Sequence, residues 1–204
     1  MNSLQPPGSL TLDEYYELDE DVRRDIEITD GVILRREQRS RAHQKTASRL
    51  GNALELQIAK FRREHKGEHA PCYEVNTEVD VVLWEVPLTL RKPDVVIHHC
   101  IDPFDQLTAA DTVLVVEVVS RTSNSRDRIH KMGEYSKARI PHYLIVEFDA
   151  MGALTIEHYA LLGQNLTYSP ITVTHRDRDI FALKLTDPFR VEIGWQELDI
   201  APLT

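Results

Sequence analysis

The most constraining segment of the sequence is the apolar run from Val113 to Val119, which only Glu117 interrupts. A continuous run of this kind is typical of a strand buried on both faces, because a half-exposed strand alternates apolar and polar residues. A helical stretch over residues 126–138 and a second apolar run over residues 142–148 follow it. A helix between two such strands is a crossover, which makes the strands parallel. The segment therefore predicts an α/β fold with a central mixed sheet flanked by helices.

The remaining segments predict helices and hairpins around that sheet. Thr11 and Glu14 form a capping box, so a short helix begins there and ends near Leu18. Asp30–Gly31 between alternating apolar residues predicts a hairpin of strands over residues 24–28 and 32–36. Apolar residues recur at helical spacing from Ser40 towards Gly67. Further strands are expected over residues 72–83, 93–98 and 112–119, and antiparallel hairpins over the tail from 153 to 192.

The length of 204 residues favours one domain over two, so we expect a single domain over 1–204 with a flexible N-terminus at 1–9. No apolar run approaches the roughly 18 residues of a membrane span, and the first ten residues do not resemble a signal peptide. We therefore expect a cytoplasmic protein with no membrane association. In such a chain the only two cysteines, Cys72 and Cys100, are expected to be reduced.

Charge is distributed unevenly along the chain. The net charge of −9 argues against a nucleic-acid partner, yet residues 35–66 hold ten bases and three acids, and residues 121–139 hold six bases and two acids. Each block alone could be a solvated helix face. If both flank one site, they would instead grip a phosphate backbone. The candidate nucleic-acid contacts are Arg41, Lys45, Arg49, Arg126 and Arg128.

Two carboxylates are expected to meet inside the sheet. Glu117 lies within a buried strand, where an unpaired carboxylate costs several kcal/mol. Asp94 opens the strand that follows Pro93, a residue that tends to mark a strand start. On adjacent strands the two side chains would form a Mg²⁺ site, because that ion is usually held by one or two carboxylates and several waters. The alternative is a structural ion pair.

Lys131 is the third element, on the helix after the Glu117 strand, with Asp127 and Tyr135 one turn to either side. A lysine at the metal site could stabilise charge on a phosphoryl oxygen or position an attacking water. The alternative is an ordinary Asp127–Lys131 helix pair.

The motifs together resemble a known family. The segments are Arg24-Asp-Ile-Glu-Ile-Thr-Asp-Gly31, Pro93-Asp-Val-Val-Ile97, Val116-Glu-Val-Val-Ser120, Asp127-Arg-Ile-His-Lys131 with Tyr135, and Ile140-Pro-His-Tyr-Leu-Ile-Val146. In this order they resemble the Uma-type putative restriction endonuclease family of the PD-(D/E)XK nuclease superfamily. The resemblance implies a restriction-endonuclease-like core and a metal-dependent phosphodiesterase.

The resemblance also implies roles for individual residues. Asp94 and Glu117 match the Mg²⁺ ligands, with Mn²⁺ as a substitute, and Glu27 matches a further ligand. Val119 stands where the superfamily name places a lysine, and Lys131 matches the lysine that the Uma-type pattern supplies from the next helix. His43 matches a histidine that touches a phosphate or the ligand shell, or else is an ordinary surface histidine. Residues expected to orient these groups are Ser120, Asp127 and Tyr135.

Some features stay open at the level of sequence. Asp25 stands where the family usually has an aromatic residue, which we interpret as a packing difference. Histidines and cysteines near residues 65–72 and 98–100 lack the paired spacing of a zinc site, and Trp84 is expected to be a core or rim aromatic rather than a base-stacking platform. The preferred function is a Mg²⁺-dependent endonuclease acting on nucleic acid, with DNA expected. The alternative is an inactive nuclease-fold module that binds nucleic acid or a protein. Cutting both strands of a duplex would be simplest with a two-fold homodimer.

Overall fold

The computed structural model describes residues 8–67, 70–120, 125–148, 154–163 and 167–198. Its helices and strands form a central sheet, a smaller sheet and a C-terminal hairpin. In chain order they are α1 (Leu12–Glu17), α2 (Glu20–Arg24), β1 (Ile26–Thr29), β2 (Val32–Arg35), α3 (Arg41–Glu64), β3 (Tyr73–Asn76), β4 (Val81–Glu85), β5 (Leu88–Arg91), β6 (Val95–His99), β7 (Thr112–Ser120), α4 (Ser125–Lys137), β8 (His142–Phe148), β9 (Leu154–Ala160), β10 (Ser169–His175), β11 (Phe181–Leu185), β12 (Val191–Gly194) and a final 3₁₀ turn (Trp195–Leu198).

The central sheet has the spatial order β10–β9–β8–β7–β6–β3. Strands β7 and β8 are parallel, with Leu114 opposite His142 and Ser120 opposite Phe148, and every other neighbouring pair is antiparallel. The predicted mixed sheet and the crossover through α4 are therefore confirmed. Val115 and Val116 are fully buried on opposite faces of β7, as a continuous apolar run requires.

Helices cover both faces of this sheet. On one face Leu50 and Leu54 of α3 pack with Val116 and with the β11–β12 hairpin. On the other face Tyr135 of α4 packs against Val115 and its neighbours. Helix α3 begins where the sequence predicts, because the Ser40 side chain accepts a hydrogen bond from the His43 backbone N–H at 3.2 Å. None of the helices in the described ranges is long and apolar enough to cross a membrane.

The smaller sheet has the order β2–β1–β5–β4, and α1 packs on it through the buried Tyr15. The capping box of α1 is present, with Thr11 and Glu14 bonded to each other as predicted. Asp30 and Gly31 have φ angles of 49° and 80°, so the turn between β1 and β2 is the two-residue type that the Asp-Gly pair indicates.

Several predicted boundaries were wrong. The expected strand over residues 72–83 is two strands in different sheets, β3 and β4, because the chain turns at Glu78, whose φ is 57° and whose N–H donates to the Pro93 carbonyl. The first strand begins at Ile26 and not at Arg24, because Arg24 ends the short helix α2. Helix α2 and strand β5 were not predicted.

The expectation of two reduced cysteines was also wrong, because Cys72 and Cys100 form a disulfide. In the antiparallel β3–β6 pair Tyr73 lies opposite His99, which places the two cysteines opposite each other at the next position. Their Cα atoms are 5.4 Å apart, within the range that a disulfide spans. Arguments from compartment and spacing cannot detect a pairing that depends on strand register.

We expect Gly31→Ala to lower stability by about 3 kcal/mol, because a Cβ there would lie 2.2 Å from Ser9 Cβ and the residue has a left-handed φ. Gly163→Ala is the matched control, because its φ of 64° imposes similar backbone strain while nothing lies within 4 Å of the added atom. Urea unfolding of both variants measures the difference. Equal losses would show that contact with Ser9 does not contribute.

Candidate active site

The two predicted carboxylates lie side by side on the face of the central sheet that α4 covers. The Asp94 backbone N–H donates to the Val116 carbonyl at 3.0 Å, which continues the pairing of β6 with β7 up to Glu117. Asp94 Oδ2 accepts a hydrogen bond from the Val118 N–H at 2.7 Å. Asp94 is 1% exposed and Glu117 is 6% exposed, so both charges are nearly removed from water. The prediction that they meet on adjacent strands is confirmed.

Glu27 reaches the same place from the smaller sheet. It is 6% exposed, and its carboxylate accepts hydrogen bonds from Arg91 Nη1 at 2.9 Å and from the Lys92 backbone N–H at 3.2 Å. Arg91, at the end of β5, is itself 1% exposed and also donates from Nε to Glu134 Oε2 at 2.6 Å. One buried guanidinium therefore connects β1 with α4.

Helix α4 supplies the cation between the carboxylates. Lys131 Nζ lies 3.1 Å from both oxygens of Glu117 and 3.2 Å from Glu27 Oε1. One turn later, the Tyr135 hydroxyl donates to Glu117 Oε1 at 2.6 Å. The helical spacing of Lys131 and Tyr135 thus directs both side chains at Glu117.

The start of α3 covers the other side of Asp94. His43 Nε2 lies 3.0 Å from Asp94 Oδ2, and Arg39 forms ion pairs with Asp94 and Glu78. The His43 side chain is 18% exposed and that of Arg39 is 15% exposed. Both side chains thus lie between the buried carboxylate and solvent.

The environment separates the pKa values of the two glutamates that share Lys131. Burial raises the pKa of Glu117 to about 7, with further increases from Asp94 and Glu27, and Lys131 only partly opposes them. Burial also acts to raise the pKa of Glu27, but the Lys131 and Arg91 charges outweigh it and leave the pKa below the ordinary value. Glu27 is therefore held ionised, while Glu117 lacks enough positive charge around it.

Comparisons with known proteins identify the family and the fold of the chain. The model of the Uma2 family, described as putative restriction endonuclease, matches residues 12–191. The chain belongs to the Uma2 family. A solved structure of a putative nuclease belonging to DUF820 from Anabaena variabilis is 14% identical, with a TM-score of 0.63 over 93% of this chain and 97% of that one, which shows a shared fold. No curated protein matches. Membership of the Uma2 family supports a nuclease.

The donor set of this Uma2 protein fits a divalent cation. Carboxylate oxygens are the ligands that Mg²⁺ prefers, and Asp94, Glu117 and Glu27 supply them from three strands. Burial is the main cause of the raised pKa of Glu117 and Lys131 opposes it only partly, so a cation bound beside this carboxylate would favour its ionised form. Among the described residues no three His, Cys, Asp or Glu side chains converge as a complete ion cage. Mg²⁺ does not require such a cage, because one or two carboxylates can hold it while water and phosphate oxygens complete its coordination.

Several residues that the sequence predicts at the site of this Uma2 protein lie away from the carboxylate cluster, and the side chains of others lie outside the described residues. Arg41 and Lys45 are exposed and Arg49 is half-buried, all on α3. Arg128 forms ion pairs with Glu147 and Glu157. The side chains of Ser120, Arg126 and Asp127 lie outside the described residues.

Sequence reasoning missed Arg91, Arg39 and Glu134. Arg91 could have been noticed in the sequence, because this charged residue follows the Leu-Thr-Leu stretch of β5 and lies three residues before Asp94. The partners of Arg39 and Glu134 follow only from the fold.

Replacing Arg91 with methionine should cost about 3 to 5 kcal/mol, because Glu134 and Glu27 would lose their buried guanidinium. Arg128→Met is the control: its side chain is 28% exposed, so loss of its two ion pairs should cost about 1 kcal/mol or less. Urea unfolding at neutral pH compares the two. A loss at Arg91 no larger than that at Arg128 would contradict the assigned role.

Glu117 should make the metal-free protein less stable as pH rises. Its pKa is about 7 in the folded protein, against the ordinary glutamate value of 4.5, so the folded state retains the proton to higher pH. The stabilisation is complete below pH 4.5 and is lost as pH rises through 7, by at most about 1.4 kcal/mol per pH unit. The measurement is the difference between the stability curves of wild type and Glu117→Gln in EDTA. Parallel curves would contradict the raised pKa.

Proposed function

We propose that this protein is a divalent-metal-dependent endonuclease that hydrolyses phosphodiester bonds of DNA, with Mg²⁺ as its cofactor and Mn²⁺ as a substitute. One observation carries the proposal: buried Glu27 from β1 and Glu117 from β7 both contact the ammonium of Lys131 from α4, and buried Asp94, directly before β6, lies beside Glu117 in the pairing of β6 with β7. Buried charges are costly, so a cluster of this kind is expected at functional sites.

The carboxylates and the lysine have different roles in this proposal. Asp94 and Glu117 hold the ion, and Glu27 either adds a ligand or fixes a water beside it. When bound, Mg²⁺ supplies an activated water and neutralises phosphate charge. Lys131 positions the attacking water or stabilises negative charge on a phosphoryl oxygen. Tyr135 orients the Glu117 carboxylate through its hydroxyl at 2.6 Å.

The start of α3 favours an anionic substrate beside this cluster. Backbone N–H groups at a helix N-terminus and the helix dipole attract phosphate. His43, in the first turn of α3, contacts Asp94, so this helix end lies at the site. Arg41 and Lys45 extend the positive surface along the exposed side of the helix. Arg49 could add to it, whereas Arg128 already has two acidic partners and is the weaker candidate.

The test is a cleavage assay on supercoiled plasmid and on single-stranded DNA, in Mg²⁺, Mn²⁺ and EDTA. Glu117→Gln and Lys131→Met should each reduce metal-dependent cleavage by at least about a hundredfold, because the first removes a ligand of the ion and the second removes the ammonium that positions water or stabilises phosphoryl charge. The controls are Glu192→Gln and Lys184→Met, which alter an exposed pair 3.8 Å apart on the β11–β12 hairpin. Circular dichroism confirms that all four variants fold.

Two results would count against the proposal. Cleavage that survives in both site variants would point to a contaminating nuclease. A folded wild type that binds DNA in a salt-dependent manner but cuts neither substrate would favour an inactive nuclease-fold module.

A further inference from the structure

A second concave site lies next to the carboxylate cluster, between α4 and the smaller sheet. It is a cavity of about 430 Å³, which we call the Trp84 cavity. It is lined by Trp84, Ile129, Gly133, Lys137, His130 and Asp30, with Glu134 at its inner end. This volume is within the range of small-molecule sites and far larger than a single ion requires.

One wall of the Trp84 cavity is a stripe of α4 that exposes apolar surface to solvent. Ile129, Gly133 and Lys137 are spaced four residues apart, so they form one stripe along α4. Ile129 is 71% exposed, which is unusual for a large apolar side chain. No atom lies within 4 Å of the point where a Cβ of Gly133 would stand. A flat ring could therefore lie against the helix at Gly133 and face Trp84.

The polar groups of the cavity suit a nucleotide. The Lys137 ammonium lies 4.3 Å from the centroid of the Trp84 ring. A nucleobase could replace the Lys137 ammonium over the Trp84 ring, and the displaced lysine, which is exposed, would then pair with a phosphate. The exposed Asp30, in the β1–β2 turn, lines the same cavity. Its carboxylate is an acceptor for an exocyclic amino group, as acidic side chains are for cytosine N4.

A continuous set of contacts joins the Trp84 cavity to the carboxylate cluster. His130 Nδ1 lies 3.3 Å from Glu134 Oε1, and Arg91 donates to Glu134 Oε2 at 2.6 Å. Arg91 also donates to Glu27 at 2.9 Å. Lys131, which contacts Glu27 and Glu117, follows His130 directly along α4. Because the cavity and the carboxylate cluster share this part of α4, a strand whose phosphate lies at Lys131 could place a neighbouring nucleotide at the cavity.

We propose that the Trp84 cavity binds one unstacked nucleobase of the strand being cut, a base that carries an exocyclic amino group. This inference rests on the proposed nuclease function and adds to it a specificity-determining site. A base inside a duplex cannot reach such a cavity, so the protein would favour single-stranded DNA or an extrahelical nucleotide. Stacking on an aromatic ring is worth about 1 to 3 kcal/mol per base, which is about 5- to 150-fold in affinity.

The experiment measures binding of three DNA duplexes that differ only in one bulged position: cytosine, thymine or an abasic site. Ca²⁺ replaces Mg²⁺, and cleavage of each duplex is followed separately in Mg²⁺. Wild type should bind the cytosine bulge at least fivefold more tightly than the abasic one, with thymine weaker than cytosine. Gly133→Phe, whose Cβ would meet no atom within 4 Å and whose ring is intended to occupy the cavity, should abolish this preference and keep the thermal shift produced by Mg²⁺.

Two controls separate the cavity from general effects. Leu56→Phe places a ring at a position of α3 that is 66% exposed, and should leave the base preference unchanged. Trp84→Ala should lose the preference as Gly133→Phe does. Two results would overturn the cavity proposal: equal binding of the cytosine and abasic duplexes by wild type, or a base preference that survives in Gly133→Phe. If cleavage persists in either case, the proposed nuclease function stands. Absence of both binding and cleavage would overturn this inference and the proposed function together.

Discussion

The buried guanidinium of Arg91 is the interaction on which the rest of the site depends. It lies between Glu27 of the smaller sheet and Glu134 of α4, and it is 1% exposed. A buried ion network rarely adds stability over an apolar core of the same volume, although breaking one is costly. Its effect here is positional: it fixes α4 against β1, and so it brings Lys131 to Glu27. The smaller sheet therefore supplies part of the site as well as a second core.

Two glutamates at nearly the same distance from one ammonium have pKa values that are shifted in opposite directions. Lys131, Arg91 and the Lys92 backbone N–H together lower the pKa of Glu27, whereas burial and neighbouring carboxylates raise the pKa of Glu117 to about 7. Opposite shifts in neighbouring carboxyls are a feature of catalytic sites. The cluster therefore gains most from an added cation at Glu117, on the same face as Asp94. Arg39 and His43 cover the outer side of Asp94, between this carboxylate and solvent.

Residues whose roles follow from local pattern could be predicted from the sequence. A charged residue in an apolar strand identified Glu117, the Pro-Asp pair identified Asp94, and helical spacing joined Lys131 to Tyr135. The resemblance added Glu27 and His43. Arg39, the disulfide and the partners of Arg91 could not be found in this way, because the groups involved are brought together only by strand register and by the packing of two sheets. The roles of the site residues, the metal, the single domain, a homodimer and a cytoplasmic location remain predictions.

The position of the lysine illustrates how the same chemistry can be reached from another element. Side chains alternate along a strand, so Val119, two residues after Glu117, lies on the same face as that carboxylate. Val119 packs there against the apolar cluster beneath α4. A lysine at this position would remove an apolar side chain from that cluster. Lys131 instead arrives from the helix above and contacts both oxygens of Glu117 at 3.1 Å. Because the helix carries the cation, the geometry of the site depends on how α4 packs, and α4 is held in place by Arg91.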